Sequence, residues 1–210
     1  MVETALTAFA TLFVVIDPFG NLPIFVALTS GESAAHKRRM AVKGVLIAAC
    51  VFAFFALIGA RLLDLLGIGL PAFRTAGGLM LMVIAFEMVF ETRNPRRSRT
   101  ADKIAAESSP RDISVFPIAV PLVSGPGSIT SLILLLSRYA GEPASQGIVL
   151  VMLAVVLVIS CLLFLLAGPI ERALGETVID VITRLLGILL AALAVQFVFD
   201  GIWEGLLNHS

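Results

Sequence analysis

Charge is scarce in this chain. Only 14% of its 210 residues are Asp, Glu, Lys or Arg, 59% are hydrophobic, and the mean hydropathy is +1.02. Soluble domains carry about 25% charged residues, so a water-surrounded globule is excluded before any motif is read. Histidine and cysteine are almost as rare, two of each. His36 falls in a connector and His209 at the end of the sequence, while Cys50 and Cys161 lie in apolar runs. No Cys/His set with metal-ligand spacing results, and no base accompanies Ser124 or Ser128 to make a nucleophile. Glu87 and Asp200 fall toward the ends of their runs, so an aspartyl pair deep in the membrane is missing too. The run from Gly67 to Ala72 has the spacing of a dinucleotide fingerprint, but no strand precedes it. The sequence therefore predicts neither an enzyme nor a resident metal or cofactor. No basic segment precedes the first apolar run, which reads as a retained span and not a cleaved leader.

What is present is apolar sequence in lengths that suit a bilayer. Runs of about 20 apolar residues count as spans, and six occur, at about 4–29, 42–63, 69–90, 113–137, 147–168 and 178–201. The largest connector, about 91–112, leaves no room for a soluble partner domain, so residues 1–210 are read as one transmembrane domain. The basic residues are unevenly placed. Lys37, Arg38, Arg39 and Lys43 follow span 1; Arg93, Arg96, Arg97, Arg99, Lys103 and Arg111 follow span 3; Arg172 follows span 5. The other side has Arg61 and Arg138, while Arg74 and Arg184 lie just inside spans, where snorkelling accounts for them. Eleven against two predicts that both termini are outside and the three basic connectors cytoplasmic. Connectors of this length beside spans are membrane topology signals, so no nucleic-acid partner is expected. A bacterial inner membrane is the compartment such a compact chain suits.

Two of the runs are interrupted. Asp17-Pro18-Phe19-Gly20-Asn21-Leu22-Pro23 breaks the first, and Pro121-Leu122-Val123-Ser124-Gly125-Pro126-Gly127-Ser128 breaks the fourth. Lipid tolerates non-helical backbone only where protein or an aqueous cavity shelters it. Paired interruptions in the two halves of a chain point to a transporter substrate site. The halves also match elsewhere, at an offset of about 110 residues. Arg74-Thr75-Ala76-Gly77 opens span 3 and Arg184-Leu185-Leu186-Gly187 opens span 6; Gly59 and Gly67 have counterparts in Gly168 and Gly175. Three spans per unit is odd, so the second unit enters the membrane inverted. The expected fold is an all-α membrane protein of six transmembrane helices. They form two inverted-topology three-helix repeats (about 1–92 and 113–203), with helices 1 and 4 broken at the midplane by Pro18, Pro23, Pro121 and Pro126.

The chemistry of the breaks suits a small zwitterion. Asp17-Pro18-Phe19-Gly20 fits a type I turn, Asn21 can cap a new half-helix, and Ser124 or Ser128 can cap its counterpart. Amides at each half-helix start favour a carboxylate, while carbonyls left at the preceding end, with Asp17, favour an ammonium group or a cation. Asp17, Gly20, Asn21, Ser124, Gly125, Gly127, Ser128 and Thr130 are the candidate substrate residues. A carboxyl at the bilayer centre costs about 2.5–3.5 kcal/mol on insertion scales, which suggests a working group. Asp17 is the candidate coupling site for H+ or Na+, with Glu87 second. Gly77, Gly78 and Gly187 read as small residues for close helix contact.

These motifs carry a resemblance. Ile16 through Phe25, Pro117 through Thr130, and Phe73-Arg74 with Ala76-Gly77-Gly78 are similar to the MarC family of integral membrane proteins, which includes small neutral amino-acid transporters of the SnatA type. The resemblance covers essentially the whole chain. It implies carriage of glycine, alanine or serine-like amino acids with proton or cation coupling. A channel, or an exporter of other small solutes including drug-like compounds, is the competing expectation. The small-molecule substrate and the lipid bilayer are the expected partners, and a homo-oligomer is left open.

Overall fold

The computed structural model describes residues 1–90 and 123–207, which contain helices and turns only. Seven helices follow in order: α1 (Val2–Ile16), α2 (Leu22–Leu28), α3 (Ala34–Leu65), α4 (Leu70–Val89), α5 (Pro126–Arg138), α6 (Pro143–Leu165) and α7 (Ala167–Leu207). Four helical stretches are long and apolar enough to cross a membrane: Ala34–Leu65, Leu70–Val89, Pro143–Leu165 and Thr177–Leu207. They match the expected spans 2, 3, 5 and 6. The other two expected spans do not appear as continuous helices. The first is divided into α1 and α2. Of the fourth, only α5 lies within the described residues; Pro121 and the connector 91–112 lie outside them.

Several boundaries follow from local chemistry. Proline opens α5 and α6 and is the second residue of α2 and α4, positions where no intrahelical donor is lost. The α3 helix starts at Ala34, well before the expected 42, because Ser33 caps it by accepting from the His36 amide at 3.3 Å. At about 1.5 Å per residue this helix exceeds the roughly 30 Å hydrocarbon core. The basic cluster of Lys37 to Lys43 is therefore its first turns, not a loop. Gly67, between α3 and α4, and Gly175, inside α7, both take positive φ, at 68° and 72°. Gly175 interrupts α7 ahead of the stretch that is long enough to span.

The bundle has two distinct ends. Thr29, Lys37 and Arg38 lie around one cavity with Ala167, Gly168 and Pro169, so the α2–α3 and α6–α7 turns share an end. Thr7, Leu70, Arg138 and Glu204 line a second cavity at the opposite end. Thus α1 and α2 traverse the bundle together, one after the other.

α4 and α7 form the most extensive helix pair, and they run antiparallel. A methyl added at Gly201 would meet Pro71 and Thr75, one at Gly78 would meet Ala194 and Val198, and one at Gly187 would meet Met88 and Val89. At Gly78 the nearest atom is the Ala194 carbonyl, 2.8 Å away, which is backbone and cannot rotate aside. Gly78 and Gly187 are thus contact residues, as small residues in membrane bundles commonly are. The outward faces are apolar: Leu57, Leu79, Val83, Phe86, Val158, Leu185, Ile188 and Trp203 are each more than half exposed or nearly so. Such a face is the surface that lipid covers.

Candidate functional site

The first break is built by Asp17. Helix α1 ends there because Asp17 turns left-handed, φ 50° and ψ 66°, the one non-glycine residue among those described with positive φ. That conformation costs an L-residue about 1–2 kcal/mol, and aspartate is among the few that adopt it, because its side chain bonds locally. Here the carboxylate Oδ1 accepts from the Gly20 amide at 3.0 Å, and the Asp17 carbonyl accepts from the Asn21 amide at 3.1 Å. Leu22 donates to the Phe19 carbonyl at 3.0 Å. The turn expected over residues 17–20 is closed by the aspartate side chain, which takes the Gly20 amide. Gly20 is needed for it, since an added Cβ would stand 2.0 Å from Asp17 Oδ2.

Asn21 stands at the N-cap of α2, but its side chain makes no cap bond to it. Its side-chain amide donates to the Ile16 carbonyl at 2.7 Å, across the break, satisfying an acceptor that the end of α1 leaves over. Asp17 and Asn21 have no exposed surface.

The second break follows the same logic. The residue at the N-cap of α5 is Gly125, which has no side chain to cap with, and Ser128 bonds carbonyls instead. Ser128 Oγ lies 3.1 Å from the Val123 carbonyl and 2.9 Å from that of Gly125, tying the start of α5 to the segment before it. Ser124, Ser128 and Thr130 are all buried. In both breaks a short polar side chain holds the interruption closed by binding the carbonyls that precede it.

The two breaks approach each other. A Cβ at Gly127 would lie 3.7 Å from Val15 Cγ1, at the end of α1, as well as 2.7 Å from Leu81 Cδ2 and 3.0 Å from Ile84 Cδ1 on α4. Ile16, Leu22 and Val123, which flank the breaks, belong to one buried apolar cluster. Gly127, a candidate substrate residue, is accordingly also a close-packing position. Thr130 is placed likewise, its methyl occupying the space a Gly77 side chain would take. Glu87 is half-buried in the last turn of α4, one turn past Ile84.

What the arrangement can bind follows from which groups are still available. At α2 the amides of Gly20, Asn21 and Leu22 are used and Pro23 has none, so the expected carboxylate site there is largely consumed. At α5, Gly127 and Ser128 are in the first turn, whose amides have no intrahelical acceptor. The acceptor-rich side is the first break, where the Asp17 carboxylate already accepts from the Gly20 amide. Among the described residues no group of three or more His, Cys, Asp or Glu could hold a metal ion.

Cavities flank the breaks at both ends of the bundle. The one at the terminal end has a volume of about 750 Å³ and reaches along α1 to Thr11, one turn before Val15. The other, about 600 Å³, stops at Phe25, one turn after Asn21, where the Phe25 ring stacks on Phe164 at 4.9 Å. The terminal cavity gathers residues that sequence reasoning missed. Arg74 is 13% exposed and ion-paired with Glu204, so it is held across α4 and α7 and does not merely snorkel. Gln196 donates to Asp200 at 2.6 Å beside them. The helical spacing of Thr7 and Thr11 is the sequence signal that marks this wall.

A family model described as MarC family integral membrane protein matches residues 2–206. A UPF0056 membrane protein of Archaeoglobus fulgidus is 36% identical over 203 residues, covering 96% of this chain and 93% of its own. The UPF0056 membrane protein YhcE of Escherichia coli is 34% identical over 206 residues, with 95% and 94% covered. YvbG of Bacillus subtilis, a UPF0056 membrane protein as well, is 32% identical over 194 residues, with 92% of each chain covered. No solved structure matches the chain.

Proposed function

The chain belongs to the MarC family of integral membrane proteins, and from that premise we propose that it is a secondary transporter of small neutral amino acids. The observation that carries this reading is the pair of buried, adjoining helix interruptions with cavities on both sides. A zwitterion is the ligand whose two charges suit them. Its carboxylate lies toward the first-turn amides of α5, where the helix dipole is positive, and its ammonium toward Asp17 and the carbonyls at the end of α1. Space is limited by buried Val15, Leu81 and Leu22, which favours glycine, alanine or serine.

Asp17 carries the coupling proton or cation in this account, with Glu87 as a second titratable group in the last turn of α4. The architecture is six crossings in two inverted three-helix units. The antiparallel contact of α4 with α7, and the positive-φ glycines Gly67 and Gly175 at corresponding turns, are what such a repeat produces. The eleven-to-two distribution of basic residues puts both termini outside and the basic end in the cytoplasm of a bacterial inner membrane.

Purified protein in lipid vesicles, tested with labelled glycine, alanine and serine, decides the substrate class. Uptake of at least one above protein-free vesicles is expected. Uptake of none would leave the architecture and remove the amino-acid reading.

A further inference from the structure

Between the terminal cavity and the breaks lie two buried hydroxyl residues, Thr11 on α1 and Ser131 on α5, among apolar neighbours. On α1, Thr11 lines the cavity floor and Val15, one turn on, touches the space beside Gly127. On α5, Leu134, Leu135 and Arg138 line the cavity, and Gly127 sits at the break. Ser131 lies between them on the same helical face, one turn from each, since residues four apart share a face. Its side chain is fully buried and its hydroxyl has no hydrogen-bond partner among the described residues. An unpaired buried hydroxyl costs about 1–3 kcal/mol, so a natural bundle that keeps one there calls for a reason.

We propose that this seam is the route by which substrate passes between the terminal cavity and the breaks, with the Arg74–Glu204 ion pair as its outer gate. The proposal rests on the transporter reading above. Ser131 and Thr11 provide hydroxyls that a zwitterion shedding water uses in passing. The ion pair joins α4 to α7 in the cavity wall, with Glu204 42% exposed and Arg74 mostly covered. A guanidinium and a carboxylate facing each other match the two ends of a zwitterion, so the arriving substrate can exchange with the pair. Ser137, Gln196 and Asp200 supply further polar lining.

Sided thiol labelling tests this. The full-length chain, with Cys50 and Cys161 replaced by serine, receives Ser131→Cys, Thr11→Cys or Leu132→Cys, the last buried in the apolar cluster away from the seam. A C-terminal epitope reports in the same cells which face carries the termini. A membrane-impermeant methanethiosulfonate is applied to that face. Labelling is expected at residues 131 and 11 and not at 132, and Glu204→Gln should speed labelling at residue 131 about fivefold by weakening a partly exposed ion pair. The route is overturned if neither 131 nor 11 reacts from that face, or if 132 reacts as fast. The gate is overturned if Glu204→Gln leaves the rate unchanged. Labelling as expected in protein that moves no amino acid keeps the route and removes the substrate class. Uptake without labelling removes the route alone.

Discussion

Asp17→Asn is expected to reduce concentrative amino-acid uptake to the level of protein-free vesicles while leaving the fold intact. The turn survives because the asparagine side-chain oxygen can still accept from the Gly20 amide, as the carboxylate does at 3.0 Å. What disappears is the negative charge, and with it the proton exchange proposed for Asp17. A carboxylate is costly at this depth, about 2.5–3.5 kcal/mol on insertion scales, and the turn alone does not require one. Uptake down and against a gradient of labelled alanine, at several pH values, checks the prediction alongside thermal unfolding in detergent. Wild-type transport across the whole pH range would make Asp17 a turn former only.

Gly127→Leu is expected to abolish uptake by a different route. The first added carbon meets Leu81 Cδ2 at 2.7 Å and Ile84 Cδ1 at 3.0 Å, ends of side chains that can turn aside. The remaining three carbons have no space and force the start of α5 away from α4 and from Val15. Overpacking of this kind costs about 1–3 kcal/mol, and here it also separates the two breaks. Gly147→Leu is the control, since nothing lies within 4 Å of a Cβ added there. Unfolding temperature and alanine uptake should both fall for the first variant and neither for the second. Normal uptake by Gly127→Leu would mean that the contact of the breaks is not needed.

Much of the fold could be read from composition because apolar run length is a strong signal. Four expected spans correspond to described helices, and the division of the first at Asp17–Asn21 follows from an acid, two prolines, a glycine and an amide set close together. The side-chain roles inside the breaks were not readable. Asn21 can cap a helix, bind a ligand or satisfy a carbonyl behind it, and only the geometry selects the Ile16 carbonyl at 2.7 Å. Ser128 has the same ambiguity and the same outcome. Asp17 does open a turn, as expected, but its left-handed backbone and the bond of its carboxylate to the Gly20 amide were not readable. Gly127 and Thr130, polar-site candidates by position, are committed to contact with α4. The Arg74–Glu204 pair was out of reach for a plainer reason. Its partners are 130 residues apart, and nothing local to either shows that α4 and α7 run antiparallel in contact.

The claim on which the rest depends is that both breaks together hold one zwitterion. Amide hydrogen exchange of purified protein in nanodiscs, with and without saturating alanine, measures it directly. The account predicts slowed exchange in 17–25 and in 123–130 together, with little change at 143–165. Slowing at one break alone, or at neither, under conditions where alanine is transported would contradict it.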